Sequence, residues 1–507
     1  MRQMRSSAIS GFPLFARFVI SDKYASNQNS IVIDSRQVAA NFEGVDGVGL
    51  LGPAFLYPDT VPATWANGTS GPTPQDALES FVRSLADRNR WIKYHNDLVS
   101  EESRAIPYVT LSNGKNADKK LRLWFQSGQH GDEPAVLKKI DLTILPRYNA
   151  DGVEYFQRQL AANYDPNCDH TVLERQQTRA IRRAQSEFNP HIFVDNHEYT
   201  GVSPVVERYI RAQDLLVSAN KNPNSNSNIR ALNEEFVTNI FAATEAKGLR
   251  VGPYFTTSVA NGTITIREPD WNAQTNHKGA GNYQALTFLV ETRGIRLGNQ
   301  HFQRRVASHI VTLETIINKA VDEFDSVYNT IETGRKAFTE SQDDIMVLDD
   351  YPITNKSIQF INATSGALLN VTVRSQNSDP SEILITRPCP KAYLFSCAWA
   401  DVAEHLRILG VNVDVLEQEY GGSVEALVIQ TAEIARTKFE GIVATSVTTN
   451  TTRRAVRIPK GGFWVDIRQK NAGYAFLLLE PEGEASLARY NKVPVEVGDE
   501  YPIFRVV

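Results

Sequence analysis

Three apolar segments of the chain end in side chains that could bind a metal ion. LRLWFQSG precedes His130 and Glu133, HIFVDN precedes His197, and ALTFLVE ends at Glu291. Two imidazoles and one carboxylate suit zinc, and three protein ligands leave a fourth coordination position open for water. We therefore interpret His130, Glu133 and His197 as candidate ligands of one zinc ion. Glu291 is then a candidate general base, which takes the proton from a metal-bound water.

The same pattern has a second interpretation, because His-x-x-Glu arises often by chance and polar residues at strand ends are commonly hydrogen-bonded. Asp195 precedes His197 by two residues, so on a strand it points to the same face and could orient that imidazole. Asp132 and Glu198 are alternatives for this role. The other histidines lack such a setting, and we interpret them as structural.

Apolar, strand-like segments alternate with helical patterns from about residue 76 onward. Leu78, Phe81, Val82 and Leu85, for example, fall at helical spacing, and a long amphipathic pattern follows the segment that ends at Glu291. Strands that alternate with helices predict an α/β fold, with a mostly parallel or mixed sheet and helices on both faces. Ligands bind at the carboxyl edge of such a sheet, which is where the candidate metal ligands fall.

The character of the sequence changes twice, which predicts three parts. Residues 1–75 form an irregular N-terminal segment, 76–335 an α/β catalytic domain, and 336–507 a β-rich α+β accessory domain. The first part contains GVGLLG, which matches the dinucleotide-binding GxGxxG pattern. Pro53 follows it at once and no helix is predicted to begin there, so we interpret the motif as a glycine-rich loop.

The composition is that of an ordinary globular protein. Hydrophobic residues make up 42% and charged residues 22% of the 507 residues, which excludes a disordered or fibrous chain. A formal net charge of −5 argues against nucleic acid as a partner, and no apolar run is long enough to predict a membrane span. Asn-x-Ser/Thr sequons favour secretion, but the N-terminus has no clear signal peptide, so the compartment stays open.

Five sequence blocks resemble the zinc metallocarboxypeptidase family, the carboxypeptidase A-like exopeptidases. In chain order the blocks are GQHGDEPA, LPRYNADGVEYFQR, YDPNCDH, VDNHEYTG and FLVETRG. A further stretch, RPCPKAYLFSCAWADVAEHLRILGV, is similar to the C-terminal extension of a microbial branch of that family. The resemblance implies a zinc-exopeptidase fold, one zinc ion, and a peptide or protein C-terminus as the substrate.

The resemblance also implies roles for individual residues. His130, Glu133 and His197 match the zinc ligands, and Glu291 matches the general base. Arg158 matches an arginine that polarises the scissile carbonyl and stabilises the oxyanion, as a fixed guanidinium can.

One departure from the family concerns the binding of the substrate's terminal carboxylate. Asn167 matches the asparagine of an Asn-Arg pair that binds this group, but Cys168 stands where the family has arginine. A thiol cannot replace a bidentate cation. Arg175 or Arg179 could substitute, and otherwise the chain could be a zinc amidase or deacylase that acts on small N-acyl substrates.

A second departure is the short connection after the His-x-x-Glu motif. Only Pro134–Lys139 separate Glu133 from the strand that begins at Ile140, whereas a crossover between parallel strands needs about a dozen residues or more. Either these strands are not parallel neighbours, or a segment has been lost from the chain, and we favour the loss. The loss would remove support behind Glu133, so a third hypothesis is a catalytically impaired relative that acts as a binding protein.

Overall fold

A computed structural model describes most of the chain. The described residues are 31–50, 74–112, 119–127, 140–155, 157–202, 205–206, 208–269, 275–298, 300–377, 382–439 and 441–507. The predicted zinc ligands His130 and Glu133, together with Asp132, lie outside the described residues.

Helices and strands alternate through most of the first two thirds of the described chain, and strands dominate the remainder. The helices are α1 (Arg36–Ala39), α2 (Gln75–Arg88), α3 (Ala150–Glu154), α4 (Gln176–Phe188), α5 (Ser227–Ala246), α6 (Asn276–Gly281), α7 (Phe302–Asp322), α8 (Phe324–Glu340), α9 (Ala400–Ile408) and α10 (Ala472–Leu479). Short 3₁₀ turns span Pro166–Cys168 and Cys397–Trp399. Within the described ranges, no helix has both the length and the apolar character needed to cross a membrane.

The strands, in chain order, are β1 (Ile92–His95), β2 (Tyr108–Leu111), β3 (Leu121–Gln126), β4 (Ile140–Leu145), β5 (Ile192–Thr200), β6 (Tyr209–Arg211), β7 (Leu215–Ala219), β8 (Val251–Pro253), β9 (Thr256–Ala260), β10 (Thr263–Arg267), β11 (Leu286–Ile295), β12 (Ile345–Asp350), β13 (Ile353–Asn362), β14 (Leu368–Gln376), β15 (Glu382–Arg387), β16 (Ala392–Phe395), β17 (Asp414–Val415), β18 (Tyr420–Phe439), β19 (Ile442–Ile458), β20 (Phe463–Asp466) and β21 (Phe504–Val506).

An eight-stranded mixed sheet forms the centre of the first part of the chain. Its order is β1-β2-β4-β3-β5-β11-β7-β8, and β4, β3, β5 and β11 run parallel at its middle. These four strands are almost fully buried, which explains why their sequences read as continuous apolar runs rather than alternating ones. The predicted α/β fold class with a mostly parallel or mixed sheet is confirmed.

The two strands on either side of the short connection are parallel neighbours. Leu121 pairs with Ile140, and Gln126 pairs with Leu145. This pairing excludes the first of the two explanations that the sequence left open, namely that these strands are not adjacent. The loss of a segment between β3 and β4 stays a prediction.

A five-stranded sheet combines strands from both sides of residue 335. Its order is β6-β13-β14-β10-β9, so β13 and β14 lie between strands of the preceding part. β14 pairs with β10 in parallel, and β13 pairs with β6 in antiparallel orientation. The predicted boundary at residues 335 and 336 stays a prediction, but the hydrogen bonding is continuous across it.

The C-terminal part is built on a six-stranded sheet, which confirms its β-rich character. The order is β17-β20-β16-β21-β18-β19, and β18 and β19 form a long hairpin. One apolar cluster joins the two parts of the protein, because Trp124 and Phe193 pack in it together with Tyr474 and Leu478. Tyr283 is fully buried in the same cluster and packs edge to face on Tyr474, with ring centroids 5.3 Å apart.

A buried ion network holds this sheet together. The Glu480 carboxylate is 0% exposed and accepts hydrogen bonds from Arg505 (2.9 Å), Arg387 (3.0 Å) and the Tyr393 hydroxyl (2.7 Å). Arg505 also donates to Glu425 at 2.5 Å. Each charge is compensated in the folded protein, and the removal of one partner would leave a buried charge unpaired.

We expect Glu480→Gln to lower the free energy of unfolding by about 3–5 kcal/mol, because two buried guanidinium groups would lose their shared carboxylate. Urea denaturation measures this as a lower midpoint at unchanged m-value. Arg183→Met is the control. It breaks the 2.9 Å ion pair with Glu404, in which both side chains are about half exposed, and should cost less than about 1 kcal/mol. Equal midpoints for the Glu480 variant and the parent protein would contradict the prediction.

Candidate functional site

His197 and Glu291 lie side by side on adjacent parallel strands. β5 runs from the buried Ile192 to the polar residues at its carboxyl end, and His197 is the register partner of Glu291 on β11. Asp195 lies two residues before His197, so both side chains leave the same face of the sheet. Asp195 is 1% exposed and Glu291 is 8% exposed. The sheet thus brings together two of the predicted site residues with a buried carboxylate next to them.

Asp195 is the carboxylate that contacts His197. Its Oδ1 lies 3.1 Å from His197 Nε2 and accepts a hydrogen bond of 3.3 Å from Gln126. Glu198, the alternative considered from the sequence, instead accepts from Arg305 at 2.6–2.8 Å. The described geometry therefore favours Asp195 over Glu198 as the group that orients the imidazole.

The charges around His197 favour a cation. Burial alone would lower the pKa of His197, but the carboxylates of Asp195 and Glu291 outweigh it and raise that pKa to about 9. Burial raises the pKa of Glu291, and the positive charges of His197 and Arg158 oppose that shift. A buried imidazole faced by two carboxylates is an environment suited to holding positive charge.

His197 also has an atom available to bind a metal. Its buried Nε2 forms no hydrogen bond of good geometry among the described residues beside the 3.1 Å ion pair with Asp195 Oδ1, and Asp195 Oδ2 forms no hydrogen bond there either. A buried polar atom without a partner costs free energy unless something else satisfies it. The described part of the site therefore fits a metal ion. The described residues by themselves contain no group of three possible ligands, and the other two predicted ligands lie in 128–139.

Arg158 lies close enough to Glu291 and His197 for their charges to interact. Its guanidinium forms an ion pair with Asp165, with N–O distances of 2.7 and 2.8 Å, and half of its side chain remains exposed. Asp165 Oδ1 in turn accepts from the backbone N–H of Asn167 at 2.9 Å. One carboxylate thus links the two residues predicted to contact substrate.

The structure does not provide a replacement for the family's carboxylate-binding arginine at the two positions suggested by the sequence. Arg175 donates to Glu101 at 2.5 Å and stacks over the ring of Tyr164. Arg179 donates to the carbonyl oxygen of Leu173 at 2.5 Å. Both guanidinium groups are therefore held in other contacts.

A buried hydrogen-bond network that the sequence reasoning missed connects Asn167 with Asp195. The network runs, in order, through Asn167, Asn276, Arg182, Gln185, Gln126 and Asp195, with distances of 2.9–3.3 Å. Arg182 and Gln185 are both 0% exposed on α4. The sequence gives no signal for this burial, because Arg182 and Gln185 lie on a helix that is polar on most of its surface.

A second missed residue is Arg211 on β6. Its guanidinium lies over the rings of Tyr199 (5.2 Å) and Phe255 (5.3 Å), and its charge opposes the rise that burial causes in the pKa of Glu291. No local motif marks this residue, since its position depends on contacts between distant strands. His170 and His277 are also close enough to interact with His197, and burial lowers their pKa values well below the usual range. Burial therefore favours the uncharged form of both imidazoles, and their structural role stays a prediction.

Comparison with known proteins reveals close relatives. No family model matches the chain. "Carboxypeptidase 2" of Trichophyton tonsurans is 40% identical over 515 residues, which covers 96% of this chain and 96% of that protein. "Probable carboxypeptidase 2" of Arthroderma benhamiae is 40% identical over 489 residues, which covers 90% of this chain and 93% of that protein.

Among solved structures, a metallo-carboxypeptidase from Burkholderia cenocepacia is 16% identical and gives a TM-score of 0.38, covering 49% of this chain and 69% of that chain. A metallo-carboxypeptidase from Pseudomonas aeruginosa is 16% identical with a TM-score of 0.36, covering 49% of this chain and 68% of that chain.

Proposed function

Because the chain belongs to the zinc metallocarboxypeptidase family, the carboxypeptidase A-like exopeptidases, we propose that it hydrolyses C-terminal peptide bonds with the help of a bound zinc ion. Membership makes the protein a carboxypeptidase with a metal cofactor and peptide substrates. The observation that carries the proposed mechanism is the pairing of His197 with Glu291 on adjacent strands, with the charge of Arg158 nearby.

His130, Glu133 and His197 would hold the zinc ion. Zinc bound there would lower the pKa of a water molecule and polarise the scissile carbonyl. The His197 imidazole would bind the metal, and Asp195, whose Oδ1 lies 3.1 Å from the ring, would keep it in place.

Glu291 would take a proton from the attacking water and deliver it to the leaving amine. Its position on β11 is fixed by parallel pairing with β5 and antiparallel pairing with β7, so the carboxylate is held by two neighbouring strands. Its burial excludes bulk water from the proton transfer. A positioned carboxylate of this kind contributes about 10²–10⁴-fold to a hydrolytic rate.

Arg158 and Asn167 would bind the substrate on either side of the bond that is cleaved. Arg158 carries a permanent charge, is held by Asp165, and has a half-exposed side chain that a substrate can reach. Asn167 accepts a hydrogen bond from the backbone of Asn276 at 3.1 Å through Oδ1, so its amide nitrogen is the group that would donate to a terminal carboxylate.

We expect Arg158→Gln to lower kcat by about 10²–10³-fold, because it removes a fixed charge from the developing oxyanion. Zinc content should stay unchanged. Steady-state kinetics on a blocked peptide, with metal analysis of the same sample, measure both quantities. Arg183→Gln, an exposed arginine on α4, is the matched control and should leave kcat as it is. A loss confined to KM would show that Arg158 binds the ground state only.

One observation favours the amidase or deacylase as a second candidate. Cys168 replaces the family's arginine, and Arg175 and Arg179 are both committed to other partners. Without that arginine, fewer groups are available to bind the carboxylate of a free C-terminus.

The deciding experiment compares three substrates with the zinc-loaded protein: a blocked pentapeptide with a free C-terminus, the same peptide amidated, and an N-acetyl amino acid. A carboxypeptidase releases the terminal residue of the first substrate only. Cleavage of the N-acetyl amino acid alone would identify a deacylase. If the protein binds stoichiometric zinc and cleaves none of the three, the chain is an impaired relative and the proposal fails.

A further inference from the structure

A second polar cavity lies at the edge of the eight-stranded sheet opposite the candidate site. It has a volume of about 330 Å³ and lies at the start of β3 and β5, whereas His197 and Glu291 lie toward the carboxyl ends of β5 and β11. Its lining combines residues of β3, α8 and the segment before α10, and includes Arg122, Asn189, Glu332, Arg335, Lys336 and Lys470. Neither the family mechanism nor the proposed function uses these residues.

Positive charge dominates the cavity. Four of its lining side chains are cationic, namely Arg122, Arg335, Lys336 and Lys470, and Glu332 is the carboxylate among them. Glu332 is already shared, because it accepts from Arg335 at 2.8 Å and lies 3.0 Å from His191 Nε2. One carboxylate cannot neutralise this set.

Most of the other described partners of these cations are uncharged. Lys470 Nζ donates to the side-chain oxygen of Asn189 at 2.5 Å, and Arg122 Nε donates to the carbonyl oxygen of the same residue at 2.8 Å. Arg335 donates to the carbonyl oxygen of Pro190 at 2.6 Å. Neutral acceptors orient the cations but leave their charge uncompensated.

Burial makes the charged forms of these groups less stable, and the neighbouring cations add to this effect at Lys470. Burial lowers the pKa of Lys470 to about 7, and the charges of Arg335 and Arg122 add to the shift. Burial also lowers the pKa of Arg335 to about 10. Such shifts identify cations that an anion would stabilise.

A ligand can reach this cavity from solvent. Arg335 lies at its floor with a side chain that is 6% exposed, whereas Lys336, 74% exposed, and Glu332, 41% exposed, lie at the rim. A volume of about 330 Å³ is at the small end of the range for sites that bind small molecules.

We propose that this cavity binds a small tetrahedral dianion, of the class formed by sulfate, phosphate and phosphomonoesters. The guanidinium groups of Arg122 and Arg335 and the Lys470 ammonium surround the cavity with three positive charges from three elements, which attract such an ion. The ion would connect β3 and α8 to the segment before α10, and so join the two parts of the protein at this edge.

Isothermal titration with sulfate at pH 6 and constant ionic strength tests the proposal. We expect saturable binding to the zinc-loaded protein, and an affinity at least tenfold lower for Lys470→Gln and for Arg122→Gln. Lys391→Gln, an exposed lysine elsewhere in the C-terminal part, is the matched control and should bind as the parent does. Basal peptidase activity should be unchanged in all three variants, which shows that they fold. The proposal would be overturned if titrations with sulfate and with chloride gave equal heats, or if all variants bound sulfate with equal affinity.

The pH dependence gives an independent test, because sulfate keeps its charge between pH 6 and pH 8.5. The ionisable groups that line the cavity with Lys470 are Arg122 on β3, and Tyr328, Glu332, Arg335 and Lys336 on α8. Binding favours protonated Lys470, so affinity should fall about tenfold as the pH rises through 7, and Lys470→Arg should remove this dependence. A fall of equal size in Lys470→Arg would contradict the assignment.

Glycerol phosphate and inorganic phosphate, titrated in parallel, distinguish an organic phosphate ligand from a free ion. Tighter binding of the ester assigns an organic phosphate, and equal binding assigns the free ion.

Discussion

Glu291→Gln should lower kcat/KM by about 10²–10⁴-fold while the protein keeps its zinc, because an amide cannot accept the proton of the attacking water. Glutamine has the same shape as glutamate, so the pairing of β11 with β5 and β7 should persist. The prediction separates proton transfer from metal binding, since the predicted zinc ligands are untouched. Steady-state kinetics and metal analysis on the same preparation measure the two effects.

Glu198→Gln is the control for this experiment. Glu198 follows His197 directly, but its carboxylate is bound by Arg305 rather than directed at the imidazole. We expect a much smaller loss of activity from this variant than from Glu291→Gln. Equal losses would mean that negative charge near β5, rather than a specific base, supports turnover. Full activity in Glu291→Gln would remove Glu291 from the mechanism.

His197→Ala should abolish both zinc binding and turnover. Removing an outer partner of a metal ligand costs about 10–100-fold in metal affinity, so removing the ligand itself should cost more. His197 is the predicted ligand whose surroundings the structure describes, and its Nε2 lies next to the buried Asp195. Elemental analysis after dialysis against a chelator, followed by titration with zinc, measures the loss of affinity.

His95→Gln is the matched variant, because His95 lies on β1 at the far edge of the same sheet. It should retain zinc and activity. Circular dichroism distinguishes a lost ligand from a lost fold, since His197→Ala should keep the helical signal of the parent. Zinc retained at full stoichiometry by His197→Ala would show that the metal site does not include this residue.

The local elements of the catalytic part could be predicted from the sequence because its central strands are buried on both faces. Such strands appear as short apolar runs, and the bounds of β3, β4, β5 and β11 lie within four residues of the apolar segments that predict them. The alternating pattern of VNVDVL, residues 411–416, predicts a strand, but only Asp414–Val415 are paired there. An alternating pattern indicates a half-buried strand but does not show whether a neighbouring strand pairs with it.

Site residues could be predicted only where they stand at the end of an apolar strand. His197 and Glu291 end apolar runs, but their direct pairing depends on a register between strands about 90 residues apart. The network through Arg182 and Gln185 was missed because polar residues on a helix are normally solvent-exposed. The five-stranded sheet was not predicted because short strands such as β6 have too few residues to show an alternating hydrophobic pattern.

That five-stranded sheet restricts how the protein could be divided or recombined. Removal of the chain after residue 335 would take away β13, to which β6 is bonded, and β14, which covers one side of β10. The remaining fragment would expose an unpaired strand edge, and such edges promote aggregation. Exchange of the C-terminal part for another domain would therefore require new strand partners for β6 and β10.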